Sequence, residues 1–144
     1  MLANFSYPII CTDKYVQTVN FYEDHLGYVV AMETKGFVVL KREEFDNMFL
    51  AIADKDHASI PEEYRNTTSG MILAYPVADV RASYQDLYWE GLTLVNEPAE
   101  TICGRLHFML EDPNGILVDV SENIPISIPP ITDVDQFVYV SEAL

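Results

Sequence analysis

Hydrophobic positions in this chain recur at two periods, and the switches between them mark out the elements. Alternation at strand period is clearest over Leu106–Val120. Leu106, Phe108 and Leu110 fall on one face, and His107, Met109 and Glu111 on the other. Beyond the turn Asp112-Pro113-Asn114-Gly115, Ile116, Val118 and Val120 oppose Leu117 and Asp119. The turn is chemically specified. Pro113 presets φ, Asn114 tolerates the left-handed region, and Gly115 enters it freely. Asp119, an acid inside an otherwise apolar final strand, is the residue least expected from the pattern.

Upstream, Phe5–Cys11 reads as a first strand with an exposed edge at Pro8. Tyr15, Val16, Val19, Tyr22 and Leu26 recur at helical spacing, with Thr12 or Asp13 as cap and Gly27 as stop. Tyr28–Met32, Phe37–Lys41 and Met48–Ala53 read as strands. The longest polar stretch, Asp54–Thr68, follows, and its Pro61-Glu62-Glu63 has the form of a helical first turn. The series then repeats. Met71–Val77 is a strand; Asp79 caps a helix carrying Val80, Tyr84, Leu87 and Tyr88; Gly91 stops it. Leu92–Val95 is a strand, Asn96–Gly104 a connection, and the hairpin completes the unit.

The order strand, helix, three strands thus occurs twice, at about 5–53 and 70–122. The expected fold class is α+β: residues 1–123 form one domain of two βαβββ modules. Each helix covers one face of a curled, mostly antiparallel sheet. The other face is left to build a cavity or to meet a partner unit. Residues 124–144 are an extension kept from helix by its prolines. We expect it to dock over the cavity, along a sheet edge or around a second subunit.

Composition narrows the function. The chain has 144 residues, 49% of them hydrophobic, enough for a buried core. No apolar run is long enough to span a bilayer. The N-terminus has neither a basic region nor a long apolar one, so a cytoplasmic location is expected. Cys11 and Cys103 make neither a metal-knuckle spacing nor a disulfide framework. Acids outnumber bases 23 to 8, for a formal charge of −15. Phosphate backbones and anionic membranes would be repelled, so neither nucleic acid nor membrane is an expected partner. A cationic ligand would be attracted, although solubility alone also accounts for such a charge.

Three local patterns carry a family resemblance. The first is Asn20-Phe21-Tyr22 followed by His25-Leu26-Gly27-Tyr28. The second is Val77-Ala78-Asp79-Val80 with Gly91 after the helix. The third runs from Cys103-Gly104-Arg105 through Asp112-Pro113-Asn114-Gly115. In this order and spacing, residues 5 to about 122 resemble the vicinal oxygen chelate superfamily of glyoxalases, bleomycin-resistance proteins and extradiol dioxygenases. The resemblance implies paired βαβββ modules forming a cupped sheet with helices outside, usually in a homodimer. It also implies metal ligands, His, Gln or Glu, on the first, fourth, fifth and last strands. The matching positions here are Tyr7, Ala51, Ile72 and Asp119. Three of them are not usable ligands of that set, and an open site needs about three protein ligands. We therefore expect no metal and no cofactor.

With Asp119 on the concave face, alternation assigns the rest of the cup. It holds Tyr7, Ile9 and Cys11; Phe49 and Ala51; Ile72 and Ala74; Arg105, His107 and Met109; Leu117 and Asp119. The expected ligand-binding set is Tyr7, Phe49, Ile72, Arg105, His107, Met109 and Asp119. His107 and Asp119 are also the catalytic candidates, as base and orienting carboxylate. Plainer readings stand beside these. Asp119 pairs with Arg105 or His107 and fixes strand register. Arg105 is a surface residue at a strand entry, and Tyr7 packs a dimer. Tyr88 and Trp89 are packing residues. The resulting expectation is a small-molecule-binding protein of the bleomycin-resistance type, sequestering a cationic or aromatic ligand without metal. The alternatives are a lyase, isomerase or dioxygenase-like enzyme using His107 and Asp119, or an assembly domain working through 124–144.

Overall fold

The computed structural model describes residues 1–45 and 48–123. The first module contains β1 (Ile9–Thr12), α1 (Tyr15–His25), β2 (Tyr28–Thr34), β3 (Phe37–Arg42) and β4 (Phe49–Asp54). A single 3-10 turn, Glu62–Tyr64, lies in the polar connection. The second module contains β5 (Ile72–Val77), α2 (Val80–Trp89), β6 (Ala99–Glu100), β7 (Leu106–Glu111) and β8 (Leu117–Glu122). Each module builds a four-stranded sheet, ordered β1-β4-β3-β2 and β5-β8-β7-β6. The first strand of each module runs parallel to the last, and the other pairings are antiparallel. The α+β class and the doubled βαβββ order follow from the sequence pattern. The extension at 124–144 lies outside the described residues.

Helix ends form where the side chains allow. Asp79 accepts a hydrogen bond from the Ala82 N–H at 3.0 Å and caps α2. The first helix has no side-chain cap: its N-cap is Lys14 rather than Thr12 or Asp13, and Thr12 Oγ1 accepts from the Lys14 N–H at 2.8 Å ahead of the helix. Gly27 follows α1 at φ +75°, a left-handed conformation that a side chain would strain.

Most strand ends shift by one or two residues from expectation, and two departures are larger. The first strand begins at Ile9 rather than Phe5, because Pro8 has no N–H to continue a ladder. Its carbonyl still accepts from Ala51 N–H at 3.0 Å. Leu92–Val95 is not a strand; it meets β7 through a bridge of Leu94 with Leu110. Two residues on, the Asn96 side chain takes the Met109 N–H at 3.0 Å, where a strand would offer a backbone carbonyl. Pairing resumes only at Ala99–Glu100, inside the segment expected to be a connection.

The helix-facing sides of both sheets join in one apolar cluster. Ile10, Leu40, Leu50 and Ile52 contribute from the first sheet, and Phe108, Leu110, Val118 and Val120 from the second. Phe21, Tyr22, Val80 and Leu87 of the helices fill the space between. The Asp112–Gly115 turn fastens one module to the other. Thr12 Oγ1 donates to Asn114 Oδ1 at 2.5 Å, Asn114 Nδ2 donates to Thr18 Oγ1 at 3.0 Å, and Tyr22 Oη donates to Asp112 Oδ2 at 2.9 Å. Burial, with the Asp112 carboxylate beside it, pushes the Tyr22 phenol far above the usual tyrosine range.

Candidate functional site

Strand alternation turns every second residue away from this core. In the second sheet, register places Ile72 beside Leu117 and Ala74 beside Asp119, with Met109 on the other side of Asp119. In the first, Ile9 and Val39 flank Ala51, and Lys41 lies beside Phe49. Asp119 therefore sits on the face opposite the core, between two neighbours that offer it no hydrogen bond.

Its partner is one diagonal away. His107 pairs in register with Ser121, and its Nδ1 lies 2.9 Å from Asp119 Oδ1. Both side chains are partly buried, at 20% and 23% exposure. The carboxylate thus orients the ring through Nδ1, and Nε2 is the nitrogen remaining for a ligand or a proton. Arg105 does not join the pair. Its Nη2 donates to Ser121 Oγ at 3.3 Å and to the Glu122 carbonyl, tying the start of β7 to the end of β8. Of the two plain partners considered for Asp119, the structure selects His107.

The first sheet contributes an aromatic group. Tyr7 and Phe49 lie 6.5 Å apart between ring centroids, and Phe5 packs 5.4 Å from Phe49 and 6.0 Å from Tyr7. Phe5 and Tyr7 are exposed despite their size, and Phe5 is not among the residues expected at the site. Its place in an apolar N-terminal run with Tyr7 was the available signal. Ile72 is 56% exposed on its edge strand. A hollow of about 160 Å³ lies where β5 passes the start of β4, with Pro8, Phe49 and Ala74 in its wall. Among the described residues, no ring contact or hydrogen bond connects the aromatic group to the His107–Asp119 pair. Trp89 is not a packing residue. As the last residue of α2 it is 83% exposed, beyond the reach of the core stripe.

The positions matched to metal ligands do not fit a metal. Tyr7 packs with other rings, Ala51 is a buried methyl group, Ile72 is apolar, and Asp119 is bonded to His107. Among the described residues, no three His, Cys, Asp or Glu side chains converge as a cation site. No helix among them is long and apolar enough to cross a membrane.

The sequence model of the glyoxalase/bleomycin resistance protein/dioxygenase superfamily matches residues 4–120. The chain belongs to that superfamily. Its fold is similar to a glyoxalase/bleomycin resistance protein/dioxygenase from Nocardioides, with TM-score 0.69 and 17% identity over 92% of this chain and 91% of that one. It is also similar to a virulence protein from Salmonella typhimurium, with TM-score 0.68 and 16% identity over 86% and 99%. A bleomycin-binding protein complexed with bleomycin aligns with TM-score 0.60 and 19% identity, over 85% of this chain and all (100%) of that one. A comparison with curated proteins finds no match.

Proposed function

We propose that this protein binds a small cationic or aromatic molecule on the faces of its two sheets that carry Tyr7 and Phe49, and Ile72, Met109, His107 and Asp119, without a metal. The observation that carries the reading is Asp119. It is the single carboxylate among the four matched metal positions, and His107 already holds it. An acid so placed attracts a cation, and Phe5, Tyr7 and Phe49 offer ring faces to the same kind of ligand. The net charge of −15 adds long-range attraction. The structural neighbour that binds bleomycin supports a small-molecule ligand.

The face is open in a single chain, and a second copy laid against it would close it. The proposed functional unit is therefore a homodimer. Arg105 has a supporting role, since its donors hold the β7–β8 end. The test is calorimetry and thermal shift with bleomycin and a panel of cationic glycopeptides and aromatic amines. At least one should raise Tm, and D119N should weaken it roughly tenfold, the scale of one charge-assisted contact. No shift with any member would sink the proposal.

A second reading rests on the same 2.9 Å contact. An imidazole oriented by a carboxylate is a general base, suited to removing a proton beside a carbonyl, as in a lyase or isomerase. Turnover of a methylglyoxal–glutathione adduct, lost in H107Q, would favour it over simple binding.

A further inference from the structure

Tyr75, Val77 and Val120 alternate with Ala74 and Asp119, so they look to the other side of the second sheet. There they help to line a cleft of about 290 Å³ between the modules. The ends of α1 and β3 form one wall and α2 the other. Nothing in the site described above uses it.

The first wall presents a guanidinium with donors to spare. Arg42 lies with Cζ 6.0 Å from the Tyr28 ring centroid. Arg42 Nη2 lies near Gly27, 3.4 Å from where a Cβ would sit. Arg42 Nε is buried and makes no hydrogen bond among the described residues. It forms a salt bridge with the exposed Glu44, whose carboxylate lies 3.5 Å away. A guanidinium that lines a cleft and has one long ion pair among the described residues is suited to a second carboxylate.

The second wall has the opposite sign. Ser83, Asp86, Leu87 and Glu90 recur at i, i+3, i+4 and i+7, which brings them onto one face of α2 toward the cleft. Glu90 is engaged by His25 at 2.5 Å. Asp86 enters no ion pair among the described residues. Between the walls the lining is apolar, from Leu26, Val77, Leu87 and Val120.

Charge decides the class of occupant. A simple anion would meet Asp86, Glu90 and the field of a −15 chain. A simple cation would meet Arg42. A zwitterion satisfies both walls and carries no net charge to be repelled. The volume falls just below the ~300–1,000 Å³ typical of ligand pockets, which limits the occupant to about the size of an amino acid. We propose that this cleft binds a free α-amino acid with an apolar side chain. Its carboxylate lies on Arg42, its ammonium on Asp86, and its side chain over Leu26, Val77, Leu87 and Val120.

The test is an amide NMR titration of the full chain with L-leucine, L-leucinamide and N-acetyl-L-leucine. L-leucine should give saturable shifts at Gly27, Ser83 and Leu87. The amide lacks the carboxylate and the acetyl compound lacks the ammonium, and each should bind at least tenfold more weakly. R42Q and D86N should each weaken L-leucine at least tenfold. Asp86 is exposed, so D86N should keep the parent Tm and separates binding from folding. Absence of saturable shifts at those amides would overturn the proposal. So would equal binding of either analogue, or D86N binding L-leucine as the parent does.

Discussion

At the scale of single residues, two carboxylates on neighbouring stretches of chain do different work. Asp119 faces outward and is held by one partner, His107. Asp112 faces inward and is saturated: it accepts from the N–H groups of Asn114 and Ile116 at 2.7 and 2.9 Å, and from Tyr22 Oη at 2.9 Å. Removing a donor from such a buried acid costs about 1.5–3 kcal/mol, because the hydrogen bond involves a charged acceptor. Y22F should therefore lower unfolding free energy by that amount in urea titration, with little change in m-value. A loss below a few tenths of a kcal/mol would mean that water or Asn114 replaces the phenol.

At the scale of elements, the Asp112–Gly115 turn is more than a strand connection. Asn114 spans Thr12 and Thr18 of the other module. N114A removes both contacts and should cost about 1–3 kcal/mol, measured by chemical denaturation. Because Asn114 and Tyr22 serve the same clasp, the double variant should fall short of the sum of the two losses. Helix α2 offers a cleaner local test. D79A deletes the cap on Ala82 N–H and should cost about 1 kcal/mol, seen as a lower Tm. The element boundaries show where pattern reading works. The helix stripes and the β7–β8 alternation were legible because a buried face must repeat with its element's period. The step from Leu92–Val95 to Ala99–Glu100 was not, because it turns on one side chain, Asn96, replacing a backbone acceptor across a distance of 13 residues.

At the scale of the whole molecule, the shared core holds several tyrosines in their neutral form. Burial, together with neighbouring phenols or the Asp112 carboxylate, pushes Tyr22 and Tyr75 far up, and burial raises Tyr28. In the unfolded chain these groups ionise near pH 10. The folded state binds the proton more tightly, so their contribution is fully present below about pH 10 and is lost as pH rises above it. Ultraviolet titration should show fewer than all nine tyrosines ionising near pH 10. The rest should ionise only as circular dichroism reports unfolding. A single transition for all nine with the fold intact would contradict the buried core described here.

The sequence by itself determined the doubled βαβββ order, the capping of α2, the turn chemistry and the core-facing side of β7 and β8. Those are consequences of local period and local conformational preference, which neighbouring residues contain in full. It also placed His107 and Asp119 on one face, since alternation along two strands joined by a short turn leaves no freedom. Only the tertiary structure decided that His107, and not Arg105, holds Asp119. Only it brought Phe5 to Phe49, and Arg42 into the same cleft as Asp86. Those juxtapositions depend on register and on how two modules pack, and such long-range contacts leave no period in the chain.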